Sequence, residues 1–257
     1  MTGTLRALGR LIRIVLHMLA GVWLTWRMVR RGADFAERSR IRRAWYDRAL
    51  WIVGVRLRIH GEEPRRTSLV VANHVSWLDI PLIGAAMDTC FLSKAEIARW
   101  PIIGWLGRQH DTHFIERGAN QASAHFEAMR AGLDEGLQFV VFPEGTTSRG
   151  EFVRRFHPRL FAAVAGTQHP VQPVALAYEG MPNGPVPVSY AEDDRLISNV
   201  WKLLCRRETH VDLHLLAPLE SANQDRRSLA DGARSAIVDV LGLPVDPPSG
   251  RASARAS

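Results

Sequence analysis

The chain has 257 residues, 46% of them apolar and 23% charged, proportions that suit one globular domain with appendages and exclude wholesale disorder, a collagen-like repeat or a multi-span transporter. Its two cysteines, Cys90 and Cys205, form no CxxC pair and no Cys/His cluster, which excludes a disulfide scaffold and a cysteine zinc site and suits a reducing compartment. The net charge of +7 is lopsided, because residues 1–66 hold fifteen Arg against five acids, net +10, while the remainder is net −3; a basic arm beside an apolar run is what an anionic membrane attracts, whereas a nucleic-acid enzyme spreads positive charge over its binding face.

The first element is the apolar run from Leu11 to Trp26, LIRIVLHMLAGVWLTW, flanked by Arg6 and Arg10 before it and by Arg27, Arg30 and Arg31 after it. As a helix it covers about 24 Å, short of the roughly 30 Å hydrocarbon layer. It therefore reads as a helix embedded in the interface, its arginines snorkelling to head groups and Trp23 and Trp26 at the polar boundary. No small-x-small cleavage site follows, so the segment reads as retained, and the arginines after it favour the cytoplasmic face of the cell membrane. A second helix, Ala36 to Ile52, carries Trp45 and Trp51 and pairs with the first. Residues 1–52 are thus expected to form a helical membrane arm and residues 53–243 an α/β domain. The tail 244–257, rich in Pro, Ser and Ala, is expected to be disordered.

Within the domain, β-type runs alternate with helical ones. Strands are expected at Val53–His60, Ser68–Ala72, Phe139–Phe142, Val171–Ala177 and His210–Leu216, with a shorter β-type run ending at Arg117. Helices are expected at Leu78–Met87, Asn120–Glu135, Arg159–Ala165, Leu196–Arg206 and Ser228–Leu241. No internal repeat is present.

Chemistry-bearing residues gather where these strands end. Asn73-His74-Val75-Ser76-Trp77-Leu78-Asp79 puts a histidine at a strand end and an aspartate five residues later, across a turn into a helix. Such a carboxylate can orient the imidazole, select its tautomer and stabilise the imidazolium formed when the ring takes a proton, which makes a general base. By spacing alone the pattern is weak, and a helix-capping histidine with an unrelated aspartate is the plainer alternative. Phe142-Pro143-Glu144-Gly145-Thr146-Thr147-Ser148 ends a buried run in a turn of glycine and hydroxyls, suited either to holding an anion on exposed N–H groups or simply to capping a helix. Phe114-Ile115-Glu116-Arg117 brings a guanidinium, the natural partner of a phosphate, to a third strand end.

In this order the three segments resemble the conserved blocks of the lysophospholipid acyltransferase family, over roughly residues 60–220. NHVSWLD is similar to the first block, with His74 and Asp79 at its catalytic His-x4-Asp. FIER is similar to the second, with Arg117 at the position that contacts the acceptor's phosphate. FPEGTTS is similar to the third, with Glu144, Gly145 and Thr146 in the acceptor-binding turn. Val171-Gln172-Pro173-Val174 is similar to the fourth, and Lys94 with Glu96–Gly104 to the segment between the first two. Two departures stand out: Asp111 replaces a glycine before the second block, and Thr147 replaces the usual arginine of the third, with Arg149 two positions on.

The resemblance implies a mixed sheet flanked by helices and an enzyme that moves a fatty acyl group from acyl-CoA or acyl carrier protein to a lysolipid hydroxyl. 1-Acylglycerol-3-phosphate, giving phosphatidic acid, is the first expectation, and lyso-ornithine lipid or another lysolipid the alternative. The expected partners are the donor, the lysolipid and an anionic membrane surface; no cofactor, metal or nucleic acid is expected. Ser76 lacks a second base to act as a nucleophile. His110, Asp111 and His113 with His74 would suit a metal-dependent phosphoesterase only if more carboxylates stood at the strand ends. A non-catalytic membrane-binding protein would explain the basic arm but not the His/Asp and EGTT blocks.

Overall fold

The structure, a computed structural model, describes residues 2–244 other than 65, 102, 111, 116–121, 192 and 193. The tail expected to be disordered falls, from 245 onward, outside the described residues. In chain order the elements are α1 (Thr2–Arg30), α2 (Phe35–Val53), β1 (Val55–His60), β2 (Leu69–Ala72), α3 (Asp79–Ala86), β3 (Cys90–Lys94), α4 (Ala95–Ala98), α5 (Ile103–Gln109) and β4 (His113–Ile115). There follow α6 (Ala122–Asp134), β5 (Phe139–Val141), a 3-10 turn at Pro158–Phe161, β6 (Val171–Tyr178), α7 (Leu196–Cys205), β7 (Thr209–Leu215) and α8 (Arg226–Leu241). Arg159 to Ala165, expected as a helix, closes only this 3-10 turn before breaking into further turns. β3, α4 and α5 have no counterpart in the sequence reading, because the run from Cys90 to Gln109 shows neither clean alternation nor a sustained helical period.

The strands form one sheet in the order β1-β7-β6-β2-β5-β3-β4. Every neighbouring pair is parallel except β6 with β7, which makes the sheet mixed. Both faces of its centre are covered, and the sequence alternates accordingly. Val70, Ala72, Val174 and Leu176 share one buried cluster with Leu82 of α3 and Leu203 of α7. Leu69, Val71, Phe139 and Ala175 share the other with Leu133 of α6 and Ile237 of α8. That double cover is why β2 reads LVVA with no polar residue and all four side chains buried. Because β2, β5 and β6 are parallel, the segments that follow Ala72 and Val141 leave the sheet at the edge where Tyr178 ends β6, the edge at which open α/β sheets place ligands.

α1 is longer than its apolar run and two-faced. Leu5, Leu8, Ile12, Leu16, Leu19 and Trp23 form an exposed stripe at spacings of three and four, while Ala7, Arg10, Thr25 and Met28 are buried on the opposite side. α1 and α2 pack closely: the His17 and Trp45 rings stack with centroids 5.0 Å apart, and a Cβ on Gly21 would lie 2.5 Å from Trp45 Nε1.

Arg6 and Arg10, expected to snorkel outward, turn inward. Arg6 donates to the Cys205 carbonyl (2.8 Å), and Arg10 to the carbonyls of Leu204, Arg206 and Arg207 at 3.2, 2.6 and 2.8 Å. The C-terminus of α7 leaves exactly such carbonyls without helical partners and carries the negative end of the helix dipole, so a guanidinium there is worth more than one in water. Burial next to Arg6, Arg13 and Arg56 pushes the Arg10 pKa down. Gly54 makes room for this contact. It caps α2 at φ 87°, and a Cβ there would stand 2.1 Å from an Arg10 terminal nitrogen. Gly54→Ala is expected to destabilise the protein by about 2 kcal/mol, from left-handed backbone strain and displacement of Arg10; urea unfolding against the wild type measures it.

Candidate active site

Beyond β2 the chain is pinned residue by residue. The Asn73 amide exchanges two hydrogen bonds with the Leu176 backbone, donating to its carbonyl at 3.1 Å and accepting its N–H at 2.8 Å, so a side chain prolongs the β2–β6 pairing where the backbone turns away. The next residue is His74. Its Nδ1 lies 2.7 Å from Asp79 Oδ2, and its ring stacks on Phe142 with centroids 4.0 Å apart. Asp79 is fully buried, and the His74 side chain is 18% exposed. A carboxylate that accepts from Nδ1–H leaves Nε2 with a free lone pair, the tautomer a proton acceptor needs.

Asp79 is the first residue of α3. Its Oδ2 also accepts the N–H groups of Val75 (2.8 Å) and Ser76 (3.0 Å), which fold the turn between histidine and helix around it. Its Oδ1 accepts the Tyr178 hydroxyl at 2.5 Å. Burial, then the Asp79 charge, pushes the Tyr178 hydroxyl well above its ordinary pKa of 10.0, so it stays a donor. The Ser76 hydroxyl donates to the Val188 carbonyl at 2.9 Å and is fully buried, a position that serves packing and not nucleophilic attack.

The third sequence block clamps the first. The Ser148 N–H donates to the His74 carbonyl (2.8 Å), and the His74 N–H to Glu144 Oε1 (2.7 Å). The other Glu144 oxygen accepts the Arg154 N–H at 2.9 Å. Glu144, read from the resemblance as part of the acceptor-binding turn, is therefore turned inward, buried, with each oxygen taken by a backbone N–H. The N–H groups of Gly145, Ser148 and Gly150 are likewise used inside the protein, on Phe142 O, His74 O and Ser148 Oγ, and do not line an open anion nest. Gly145 sits at φ 72°, where a side chain would be strained, and is exposed; Thr146 is half-buried beside it. Arg117 and Asp111 lie outside the described residues.

Burial pushes the Glu144 carboxyl up to about 7 from an ordinary 4.5, against the pull of its two N–H donors. His110, weighed as a metal ligand, is engaged elsewhere, with Nε2 2.9 Å from Thr25 Oγ1 of α1. Among the described residues no group of three or more His, Cys, Asp or Glu is arranged to hold a metal.

A cavity of about 610 Å³ opens between the arm and the domain. Ile14, Met18 and Leu24 of α1 and Trp45 and Ala49 of α2 form one wall; Trp77 and Leu78, from the turn between His74 and Asp79, form part of another. Sequence reasoning missed this cavity, and it missed Tyr178. The latter had a signal, since a tyrosine ending the otherwise apolar run VALAY is a hydroxyl that must find a buried partner.

The comparisons agree with this architecture. Residues 56–177 match the family model described as Acyltransferase. The chain is 39% identical to a lyso-ornithine lipid O-acyltransferase of Pseudomonas aeruginosa over 91% of both proteins. It is 31% identical to a 1-acyl-sn-glycerol-3-phosphate acyltransferase of Neisseria gonorrhoeae over 67% of this chain and 69% of that one. The solved 1-acyl-sn-glycerophosphate acyltransferase of Thermotoga maritima shares the fold with a TM-score of 0.57 at 21% identity, covering 90% of this chain and 97% of its own. The chain belongs to the lysophospholipid acyltransferase family and is an acyltransferase acting on lysolipids.

Two predictions follow from the geometry. The folded chain holds the Glu144 proton more tightly than the unfolded chain, so this group's contribution to stability is complete below about pH 4.5 and is lost as the pH rises through about 7. The stability margin of the wild type over Glu144→Gln should shrink across that window by on the order of 3 kcal/mol, measured by urea unfolding at stepped pH; a margin growing with pH would mean that the N–H donors outweigh burial. Tyr178→Phe should lower kcat by roughly tenfold or more, the value of a hydrogen bond to a charged group, and leave both KM values near wild type, since the hydroxyl reaches the reaction only through Asp79.

Proposed function

We propose that this protein is a lyso-ornithine lipid O-acyltransferase that takes its acyl group from acyl-CoA or acyl carrier protein. The observation that carries the reading is the similarity, over 91% of both chains, to the Pseudomonas enzyme of that name. Thr147 supports it, standing where the family's third block often carries an arginine, so that a charge suited to a phosphate-bearing acceptor is missing at this position. Acylation of 1-acylglycerol-3-phosphate, the first expectation from sequence, is the second reading, favoured by the Neisseria relative and by the presence of Arg117.

In the proposed mechanism His74 Nε2 takes the proton of the acceptor hydroxyl as its oxygen attacks the thioester carbonyl. Asp79 holds Nδ1–H and stabilises the imidazolium that forms. The tetrahedral adduct collapses to the ester, and the leaving thiolate takes the proton back from Nε2 to depart as a thiol, so no acyl-enzyme is formed. Gly145 and Thr146, with Arg117 assigned on the resemblance, position the acceptor, while Glu144 acts by holding the His74 backbone. The 610 Å³ cavity suits the donor's acyl chain, since its walls are mostly aliphatic and aromatic and include the two residues before Asp79.

The exposed stripe of α1 suits a helix lying in a membrane surface. Among the described residues Gly3–Arg30 is the one helix long and apolar enough to cross a bilayer, but its inner face is committed to α2 through His17 and to α7 through Arg6 and Arg10. Arg27 over Trp23 (5.3 Å) and Arg30 over Trp26 (5.1 Å) pair a cation with an aromatic ring, a combination suited to anionic head groups on the cytoplasmic face.

Purified protein is expected to release thiol from an acyl donor only when lyso-ornithine lipid is present and to yield the esterified ornithine lipid by mass spectrometry. His74→Ala should lose about 10² to 10⁴ of that turnover with unchanged circular dichroism. Near-normal activity in this variant would remove His74 from the chemistry, and turnover with 1-acylglycerol-3-phosphate instead would establish the second reading.

A further inference from the structure

Three arginines stand beside the His74 turn without an ionic partner. Residues 152–160 read FVRRFHPRL and hold no acid, although the chain from residue 67 onward has a net charge of −3. Arg154, Arg155 and Arg159 are exposed, and among the described residues none of the three enters a salt bridge. A small hollow of about 200 Å³ nearby, bordered by Arg149, Asp194 and by Asn199, which accepts from Trp77 Nε1 at 3.0 Å, is different. There Arg149 pairs with Asp194 at 3.9 Å, and Glu151 is engaged within the protein.

The backbone that carries these arginines is tied to the site. The Arg154 N–H donates to Glu144 Oε2 (2.9 Å), and the other oxygen of that carboxyl accepts the His74 N–H (2.7 Å). The His157 N–H donates to the Pro143 carbonyl at 2.9 Å, and the His157 ring would stand 3.2 Å from a Cβ on Gly145. Arg234 of α8 donates to the carbonyls of Val153 and Arg154 at 2.8 and 3.1 Å. The segment is thus held from both sides, which lowers the ordering cost of binding a ligand on its side chains.

The apolar cavity and the arginine segment lie toward opposite faces of the sheet. Leu50, Leu78, Leu203 and Leu204 line the cavity and belong to the cluster on the side of the arm. Val153, Phe156 and Phe161, which seat the arginine segment, belong to the cluster shared with α6 and α8. A thioester at His74 whose acyl chain fills the cavity therefore leaves the rest of its donor to emerge on the other side, away from the exposed stripe of α1. In acyl-CoA and in acyl carrier protein alike that remainder is a pantetheine arm bearing a phosphate, and guanidinium groups with no carboxylate of their own are what a phosphate requires.

We propose that Arg154, Arg155 and Arg159 bind the phosphate groups of the acyl donor, the pantetheine phosphate and, in acyl-CoA, those of the nucleotide. The proposal rests on the reading of the donor as a phosphopantetheine thioester and holds for either lysolipid acceptor. The donor then lies across the edge of the sheet, its apolar end toward the arm and its charged end toward α8, with the thioester between them at His74.

The test measures KM for four donors with the same acyl chain, acyl-pantetheine, acyl-phosphopantetheine, acyl-CoA and acyl carrier protein, and for the lysolipid acceptor. It compares the wild type with Arg154→Gln, Arg155→Gln and Arg159→Gln, singly and combined. All three side chains are exposed and unpaired, so thermal unfolding should match the wild type, and turnover of acyl-pantetheine, which has no phosphate, reports an intact site. The combined variant is expected to raise the KM for acyl-phosphopantetheine or acyl-CoA about tenfold, as three exposed charge contacts together give, with kcat and the KM values for acyl-pantetheine and acceptor near wild type. Added salt should raise the wild-type KM for these phosphate-bearing donors and change that of the variant little. A rise for both small donors assigns the site to the pantetheine phosphate, and one confined to acyl-CoA to the nucleotide's phosphates. KM values within twofold of wild type for both would overturn the proposal, as would a rise shared by acyl-pantetheine, a rise confined to the acceptor, or one confined to acyl carrier protein, which would make the segment a docking face for that protein. A wild type that takes acyl groups from none of the four donors would overturn the reading of the donor and the proposal with it.

Discussion

A carboxylate with no exposed surface must be met by donors from the protein, and Asp79 is met by four: the His74 ring, two backbone N–H groups of its own turn, and the Tyr178 hydroxyl. An unpaired charge at this depth would cost several kcal/mol. The turn after β2, the start of α3 and the end of β6 are therefore constrained to one arrangement, and the imidazole is aimed by the same bonds. Glu144 repeats the device one layer away, joining the His74 and Arg154 N–H groups through one buried side chain. Two acidic side chains thus set the histidine from both sides, Asp79 by its ring and Glu144 by its backbone.

The two-helix arm also holds the domain together. Arg6 and Arg10 tie α1 to the last carbonyls of α7, and α1 and α2 supply much of the wall of the large cavity. The helix whose outer stripe suits a bilayer therefore also shapes the space proposed for an acyl chain. A membrane-bound acceptor and a bound chain would meet at one edge of the sheet, which is the proximity a two-substrate transfer requires.

Two hollows of opposite character border the His74 turn. The apolar one has room for a chain but few groups to recognise a head group; the charged one is small, with groups of both signs. Specificity for one lysolipid over another is a difference in how polar groups are left paired or unpaired, which the apolar cavity, with few polar groups, is poorly placed to supply.

The residues of the His-x4-Asp and EGTT blocks, the helical arm, and the alternation of strands with helices were legible in the sequence, because apolar period and local turn chemistry are properties of neighbouring residues. LVVA and FVV could be read as buried strands since both faces of the sheet are covered. What neighbours cannot encode is a partner far along the chain. That Glu144 turns inward to a backbone 70 residues away, that Tyr178 completes Asp79 across 99 residues, and that Arg10 faces α7 and not lipid across some 196 residues were decided by the tertiary fold alone. Each depends on strand order and helix placement, which set the distances between side chains that no local pattern relates.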